Sequence, residues 1–533
     1  MKRIFKYILL LCLPCLYSGC DILEVTPMEF TAPDNFYKTD DELTSALYGV
    51  YFYMNNIYIG EYNNIILGDL GTDVTYSRAG QFVPVFQYYR MDSPTVEFSY
   101  AWRDHYAAIG AANMLISRAQ KSPVEGEYKE QVIAEAKVLR AYFYHNLILL
   151  WGDVPLWTDE LDVDVMPNLP RSPKSDVVKQ IYDDLNTAIP HLPDSYSSED
   201  LGRITSWAAK SLWARISLLQ GDYETAYIQA KDVIDNSPHE LLLNYADVFD
   251  WHNEFNSELI FVTPKQQDCQ GSTIHTCVSP QLNKERVTFD PLFESGQTAL
   301  RPDGVRVSSS ESLFQGFGNF VSFNSYINSF EDGDTRVSMV SWNSLQVRNE
   351  KTGKERTVSL KGIGKSKHYI LKWMAFDEPN KNGGRDIHHI RLAELYLILA
   401  EAANEKDLPD EAIAALNNIR KRAFGDDMHN YTNTDAASQY YLADKNAIKE
   451  AIINENKWEL GAEGVRRWYL IHWGYDYLYG ALESLVYENN KGQQVVENAE
   501  ALKNIKPYHV LFKIPVQEFV KNPNLGNNNP GYE

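Results

Sequence analysis

The sequence predicts a mainly α-helical protein: a scaffold of antiparallel helix pairs, interrupted by one large, irregular, loop-rich insertion that carries short strands. Three observations predict it. Apolar residues recur at helical spacing over much of residues 41–240 and 387–473. Two segments, Ala214 to Ala226 and Ala400 to Ala412, repeat one layout of two amphipathic stretches joined by a tight turn, with small residues 12 apart. Between them, residues 241–386 turn rich in Gly, Ser and Asn, with short β-like runs such as Leu259 to Thr263.

The elements follow in order. A helix is predicted over Asp41 to Tyr53, with Leu43, Ala46, Leu47 and Val50 on one face. Residues 60–96 read as loop, rich in Gly, Asp and Tyr. Helices are predicted over Ser99 to Ala119 and Tyr128 to Leu150, the second stopped by Gly152 and Pro155. Ser172 to Leu192 is a further helix, with Pro173 at its first helical position. The paired segments come next. Small residues at Ala214, Ala226, Ala400 and Ala412 let two antiparallel helices approach closely, and Val233 and Ile419 each lie seven residues on. This layout resembles the tetratricopeptide (TPR) repeat, a helix pair of about 34 residues that stacks into a solenoid. The two copies stand about 186 residues apart, so an insertion interrupts the array. Helices return at about Ile387 to Ala423 and Lys445 to Trp473, and Val510 to Glu533 reads as an extended tail rich in Asn and Pro.

The N-terminus reads as an address. Lys2, Arg3 and Lys6 precede an apolar stretch from Ile8 to Leu16, the length of a signal-peptide core. It is far short of the roughly 20 residues that span a bilayer. Leu16-Tyr17-Ser18-Gly19-Cys20 resembles a bacterial lipobox, with Tyr17 where leucine is usual. Cys20 is therefore expected to be diacylated and to become the new N-terminus, leaving a soluble body on a lipid tether. The expected organisation is a signal peptide (1–19), a lipidated leader (20–40), a helical scaffold (41–240), the insertion (241–386), and helices with an extended tail (387–533). Of the five cysteines, Cys12 and Cys15 leave with the signal and Cys20 carries lipid. Cys269 and Cys277 remain. In an exported protein they are either a disulfide, worth about 2–3 kcal/mol for so short a loop, or two free thiols. The pair alone is too few ligands for zinc.

The matching motifs run in one order along the chain. Asp21 to Pro27 (Asp-Ile-Leu-Glu-Val-Thr-Pro) follows Cys20, then Ala46 to Tyr51 (Ala-Leu-Tyr-Gly-Val-Tyr). Trp102, Tyr106, Ile109 and Asn113 are followed by Ala136 to Tyr142 and by Trp151-Gly-Asp-Val-Pro-Leu156. Gly202-Arg-Ile-Thr205, Arg391 to Leu397, Asn417 to Ala423, Asn454 to Leu460 and Arg467 to Gly474 come next. The tail ends Asn522-Pro-Asn-Leu525 and Asn529-Pro-Gly-Tyr532. In these pieces the sequence resembles the SusD/RagB family of surface lipoproteins along nearly its whole length. The resemblance implies a TPR-type scaffold with a variable insertion and lipid-anchored exposure at the outer membrane. It also implies capture of glycan and partnership with a TonB-dependent outer-membrane transporter. Two other readings stay open: capture of peptides by the same fold, and a lipid-anchored TPR scaffold whose ligand is another protein.

The residues themselves narrow the chemistry. A formal net charge of −22 argues against a nucleic-acid partner. The chain has no Gly-x-Ser-x-Gly elbow, no His-Glu-x-x-His and no Walker-type loop. His388 and His389 beside Asp386 lack further ligands nearby, and Asp426-Asp427 reads as a solvated turn. A binding protein without catalytic residues, metal or cofactor is therefore expected. Sugars offer flat C–H faces and hydroxyl rims, which call for exposed aromatic rings beside Asp, Asn, Arg or Gln. Two segments outside the predicted helices combine these. One carries Asp73, Tyr76, Arg78, Phe82, Gln87, Tyr88 and Tyr89; the other Arg301, Asp303, Asn319, Tyr326, Asn328, Trp342 and Asn343. Trp342 is the first choice for a stacking ring. Trp102, Trp151, Trp213, Trp458, Trp468 and Trp473 follow helical pattern and are expected in the core. Asp332, Asp334 and Arg336 are expected to lock a turn rather than grip a sugar.

Overall fold

Helix α1 (Asp40–Ile57) opens on Asp40, Asp41 and Glu42, carboxylates that complement the positive end of a helix dipole. It lays Leu43, Leu47, Val50 and Met54 against α2 (Val96–Lys121) and α3 (Glu127–Trp151), all four buried. The structure, a computed structural model, describes residues 36–57, 67–77, 83–91, 96–161, 165, 168–265, 297–302, 304–308, 319–359, 368–374, 384–489 and 491–532. Gly152 ends α3 with φ 72°, a conformation that only glycine adopts without strain, and its N–H donates to the Ile148 carbonyl. Helix α4 (Lys174–Ala188) then packs back along α3.

The first repeat pair is α5 (Ser206–Gln220) and α6 (Tyr223–Asn236). Thr205 caps α5 by accepting from the Ala208 N–H at 3.1 Å. Gly221 closes it in the left-handed region, and Asp222 caps α6 by accepting from the Thr225 N–H at 3.1 Å. The second pair is α7 (Leu392–Glu405) and α8 (Pro409–Phe424). Helix α6 packs directly on α7, so two repeats far apart in sequence are neighbours in space. Ala214, Ala226, Ala400 and Ala412 are all fully buried at these contacts. Replacing Ala226 or Ala412 with leucine should therefore destabilise the protein by about 1–3 kcal/mol through overpacking. Urea unfolding measures this, and unchanged midpoints in both variants would show that the helices do not meet there.

Ahead of α7 the strands among the described residues are β1 (Thr75–Ser77), β2 (Leu259–Thr263), β3 (Gln297–Leu300), β4 (Arg306–Ser308), β5 (Phe320–Ser322), β6 (Ser344–Asn349), β7 (Glu355–Ser359), β8 (His368–Tyr369) and β9 (Ile387–Arg391). Antiparallel β2 and β9 form a ribbon at the base of the insertion: β2 carries the chain out and β9 returns it directly into α7. Helix was expected from Ile387. Residues 387–391 are instead strand, because every one of them is buried and β2 supplies the ladder partners. The other strands form a four-stranded sheet, β4-β3-β6-β7, and a three-stranded one, β1-β5-β8.

The helix expected over Lys445 to Trp473 is two, α9 (Lys445–Leu460) and α10 (Arg466–Trp473). Gly461 makes the break. A Cβ there would sit 2.2 Å from the Tyr326 hydroxyl and 2.5 Å from the Lys457 carbonyl. The tail is not simply extended: Val516–Lys521 is helical, with 3₁₀ turns at Pro507–Val510 and Pro523–Leu525. Asn529 fixes it, donating to the Trp151 and Phe512 carbonyls at 3.0 and 2.9 Å.

A buried ionic network joins the insertion to the scaffold. Arg336 pairs with Asp334 at 2.6 Å, Glu455 at 2.8 Å and Glu459 at 3.2 Å, and all four side chains are fully buried. The Asp334–Arg336 pair is thus a brace within a turn, as expected, and it continues into α9. Trp102, Trp151, Trp458 and Trp473 are buried, while Trp213 and Trp468 pack half-buried against the same core.

Candidate functional site

The two aromatic segments meet in one sheet. Strand β1 pairs with β5, placing Tyr76 opposite Val321 and Ser77 opposite Phe320. Strand β8 adds to the far side of β5, and Trp342 extends the same surface. Its N–H donates to the Tyr369 carbonyl at 3.2 Å, and the Tyr369 N–H donates back at 2.8 Å. The order is therefore first loop, insertion, insertion, with the segment of Trp342 and Asn343 at the opposite edge from Tyr76.

Tyr76 is half-buried, edge-on to Phe323 with ring centroids 5.7 Å apart. Tyr88 is also half-buried. Burial, and then its interaction with Tyr76, push the Tyr88 phenol up to about 12. The neighbouring backbone is held firmly. Gln87 is buried and its Oε1 accepts from the Ser77 N–H at 2.6 Å, while Asn504 donates to the Tyr88 carbonyl at 2.8 Å. Asn319 is half-buried, and Asn328 and Asn343 are exposed. Half-buried rings held by a rigid backbone, with the exposed amide of Asn343 beside the far edge of the same sheet, suit stacking and directional hydrogen bonds.

Five other candidates are placed differently. Asp73 is buried, and Arg466 donates to both of its oxygens at 3.0 and 3.1 Å. Burial alone would raise its pKa, but the Arg466 charge outweighs this and holds it below the usual value. Tyr89 is buried, stacked on His509 at 5.6 Å, with Arg467 donating to its hydroxyl at 3.3 Å. Tyr326 is buried, and its hydroxyl donates to the Lys457 carbonyl at 3.1 Å. Trp342 is only 9% exposed, and its indole N–H donates to the Ser344 carbonyl at 2.9 Å. Arg301 is buried as well. These five serve the fold, because each polar atom or ring named already faces a protein partner or the interior. Arg78, Phe82, Asp303, Cys20, Cys269 and Cys277 lie outside the described residues.

His388 and His389 are buried in β9, and burial with nearby cations holds both pKa values well below the usual histidine range. Among the described residues, no group of three His, Cys, Asp or Glu side chains is placed to hold a metal ion. Two surface grooves were missed by sequence reasoning. One, about 360 Å³, runs beside exposed Tyr48 and Phe52 of α1 and Leu201. The other, about 1080 Å³, lies between the end of α3, the α5–α6 turn, α10 and the tail. The only signal for the first was an aromatic pair four residues apart on the outer face of α1; the second has walls from segments far apart in sequence, the start of α4 among them, and no local signal.

Two family models match the chain. One, described as "SusD family", covers residues 315–532, and the other, "Starch-binding associating with outer membrane", covers residues 39–218. The chain belongs to the SusD family. A SusD-like protein of Formosa agariphila, P25, is 28% identical over 98% of both chains. A SusD-like protein of Bacteroides ovatus is 29% identical over 46% of each. Among solved structures, a SusD homologue of Bacteroides thetaiotaomicron aligns with TM-score 0.74 at 20% identity, covering 94% of this chain and 98% of its own. A laminarin-binding SusD-like protein aligns with TM-score 0.70 at 23% identity, covering 93% of this chain and 100% of its own. The SusD-family match thus takes in both helical parts of the scaffold and the later insertion, including β5, β8 and Trp342. No helix among the described residues is long and apolar enough to cross a membrane.

Proposed function

We propose that this protein is a cell-surface lipoprotein of the outer membrane that binds oligo- or polysaccharide without breaking it and delivers it to a TonB-dependent transporter. The observation that carries the reading is SusD-family membership in both halves of the chain, one of the matching models being described as starch-binding. The β1-β5-β8 sheet supports it with the half-buried rings of Tyr76 and Tyr88 and the accessible amide of Asn343. Rings and amides can hold and orient a sugar; hydrolysis would need paired carboxylates flanking the bond.

Affinity electrophoresis against a panel of polysaccharides, beside a peptide panel, tests the reading. Retardation by a glycan supports it. A peptide response, or binding of neither with a protein pull-down intact, replaces it with one of the two other classes. Tyr88→Ala and Tyr76→Ala should each weaken glycan binding about tenfold or more, the 1–3 kcal/mol scale of truncating an aromatic contact. Full-strength binding by both folded variants would move the site elsewhere.

Anchoring is tested separately. Cys20→Ala should release the protein from membranes, since each buried acyl CH₂ contributes about 0.8 kcal/mol and the chain holds no second long apolar segment. A Cys20→Ala protein that still sediments with washed membranes lacking the transporter would refute the lipid anchor. Co-purification of the transporter with wild type tests the delivery step.

A further inference from the structure

The larger groove is bounded by Asp153 at the end of α3, Lys174 at the start of α4, Gln220 and Tyr223 at the α5–α6 turn, Trp468 of α10, and the tail from Asn527. Its tail wall is fixed rather than loose. Arg171 donates to the Leu525 and Asn527 carbonyls at 3.0 and 2.8 Å and to the Asn529 side chain at 3.0 Å. Those contacts engage the arginine and the tail acceptors with each other.

Two donors along the groove make no hydrogen bond with the described residues. Lys174 gives its backbone N–H to Asp153 at 2.8 Å, but its ammonium group makes no hydrogen bond or ion pair with any described residue. The Gln220 Nε2 is buried without a partner. The Trp468 indole N–H makes no hydrogen bond among the described residues, and its ring is half-buried. Beside Trp468 lies a second, smaller pocket of about 60 Å³ that shares Leu149 and Leu219 with the groove. His145 lines it, 2% exposed, with Nδ1 unpartnered. Asp153 is the only carboxylate among the described residues that line the groove, against Lys174 and Arg171. Two cationic side chains thus stand against one carboxylate on this surface, on a chain whose net charge is −22.

We propose that this groove binds an anionic saccharide, a sugar bearing carboxylate or sulfate ester groups, through Lys174 and the Trp468 ring and N–H. The proposal rests on the glycan reading above and names the class of sugar. The anionic group supplies an acceptor for the Lys174 ammonium and the Trp468 N–H, and the half-buried Trp468 and Tyr223 rings offer faces to sugar C–H groups. Burial lowers the Lys174 pKa, with Asp153 offsetting part of the effect, so a bound anion would favour the charged amine. The volume of about 1080 Å³ suits an oligosaccharide segment rather than a single ion.

Calorimetry on the intact protein body with three probes tests this: oligogalacturonate, a sulfated galactan fragment, and neutral maltoheptaose. At least one anionic probe should bind tenfold or more tighter than the neutral one. Lys174→Met should lose that advantage by tenfold or more, Lys174→Arg should keep most of it, and binding of the neutral probe should not change. Preference for the carboxylated or the sulfated probe identifies the group; either supports the proposal. Binding of the neutral probe alone, or anionic binding unaffected by Lys174→Met, overturns this proposal and leaves the glycan reading standing. Binding of no glycan by the wild type, in this set or the wider panel, overturns both. A second readout uses wild type only. Carbodiimide coupling of oligogalacturonate joins a carboxylate to an amine, the water removed being taken up by the carbodiimide. Peptide mass spectrometry should find the sugar on Lys174, and its absence there despite binding would count against the groove.

Discussion

Glu459→Gln is expected to destabilise the protein by about 3–5 kcal/mol, the scale of leaving buried charge uncompensated. Glu459 is fully buried in α9 and receives Arg391 at 2.6 Å, Arg336 at 3.2 Å and Arg422. Those arginines reach outward to Asp334, Glu258, Glu455 and Glu463, so one carboxylate stands at the junction of the insertion, β9, α8 and α9. Glutamine keeps the shape and removes the charge, leaving the three guanidinium groups short of one anion. Burial by itself would raise the Glu459 pKa, but Arg422, Arg391 and Arg336 outweigh it and hold the group well below the usual carboxylate range. A depressed folded pKa means the contribution is complete above the unfolded value, about 4.3, and is lost as pH falls through the folded one. Urea unfolding at pH 7 measures the effect. An unchanged midpoint would show that the arginines find other partners.

Trp342→Ala is expected to destabilise by about 3–5 kcal/mol, the range for deleting a buried aromatic side chain. An exposed ligand platform would have predicted the opposite, an unchanged melt with weaker binding. Trp342 is 9% exposed, lies against Tyr369 with centroids 6.0 Å apart, and anchors its own segment through Ser344. The measurement is paired: melting midpoint and glycan affinity on the same preparation. A variant that melts like wild type but loses the glycan would restore the stacking role.

The helices were legible because their signals are local. The 3.6-residue period, the stop at Gly152, the Gly221-Asp222 turn and the small residues at Ala226 and Ala412 each operate within a few turns of chain. The break at Gly461 was not legible in the same way, since it answers to the Tyr326 hydroxyl, far away in sequence. Nor was β9: Ile387 and Ile390 fit either a helix face or a buried strand, and the presence of β2 alongside decides. The same limit governs the candidate site. Composition marked Asp73, Tyr76, Tyr88, Tyr89, Tyr326 and Trp342 alike, as aromatic or polar residues in loops. Asp73 became a structural ion pair because Arg466 lies beside it, and Tyr89 became core because His509 and Arg467 close over it. Tyr76 kept accessible surface on β1, which sits at the edge of its sheet, and Tyr88 is half-buried as well.

By itself the sequence determined the helical class, the paired layout, the long insertion and the family, since each is written in spacing along one stretch or in motifs that keep their order. Tertiary structure alone decided that α6 stacks on α7 across the insertion, that the first loop and the insertion share a sheet, and which loop aromatics face water. It also opened the groove beside Lys174 from segments far apart in sequence. The physical reason is that burial and pairing are properties of neighbours in space. A tyrosine or an aspartate carries the same chemistry wherever it stands, and only the residues folded against it determine whether that chemistry is satisfied inside the protein or left for a ligand.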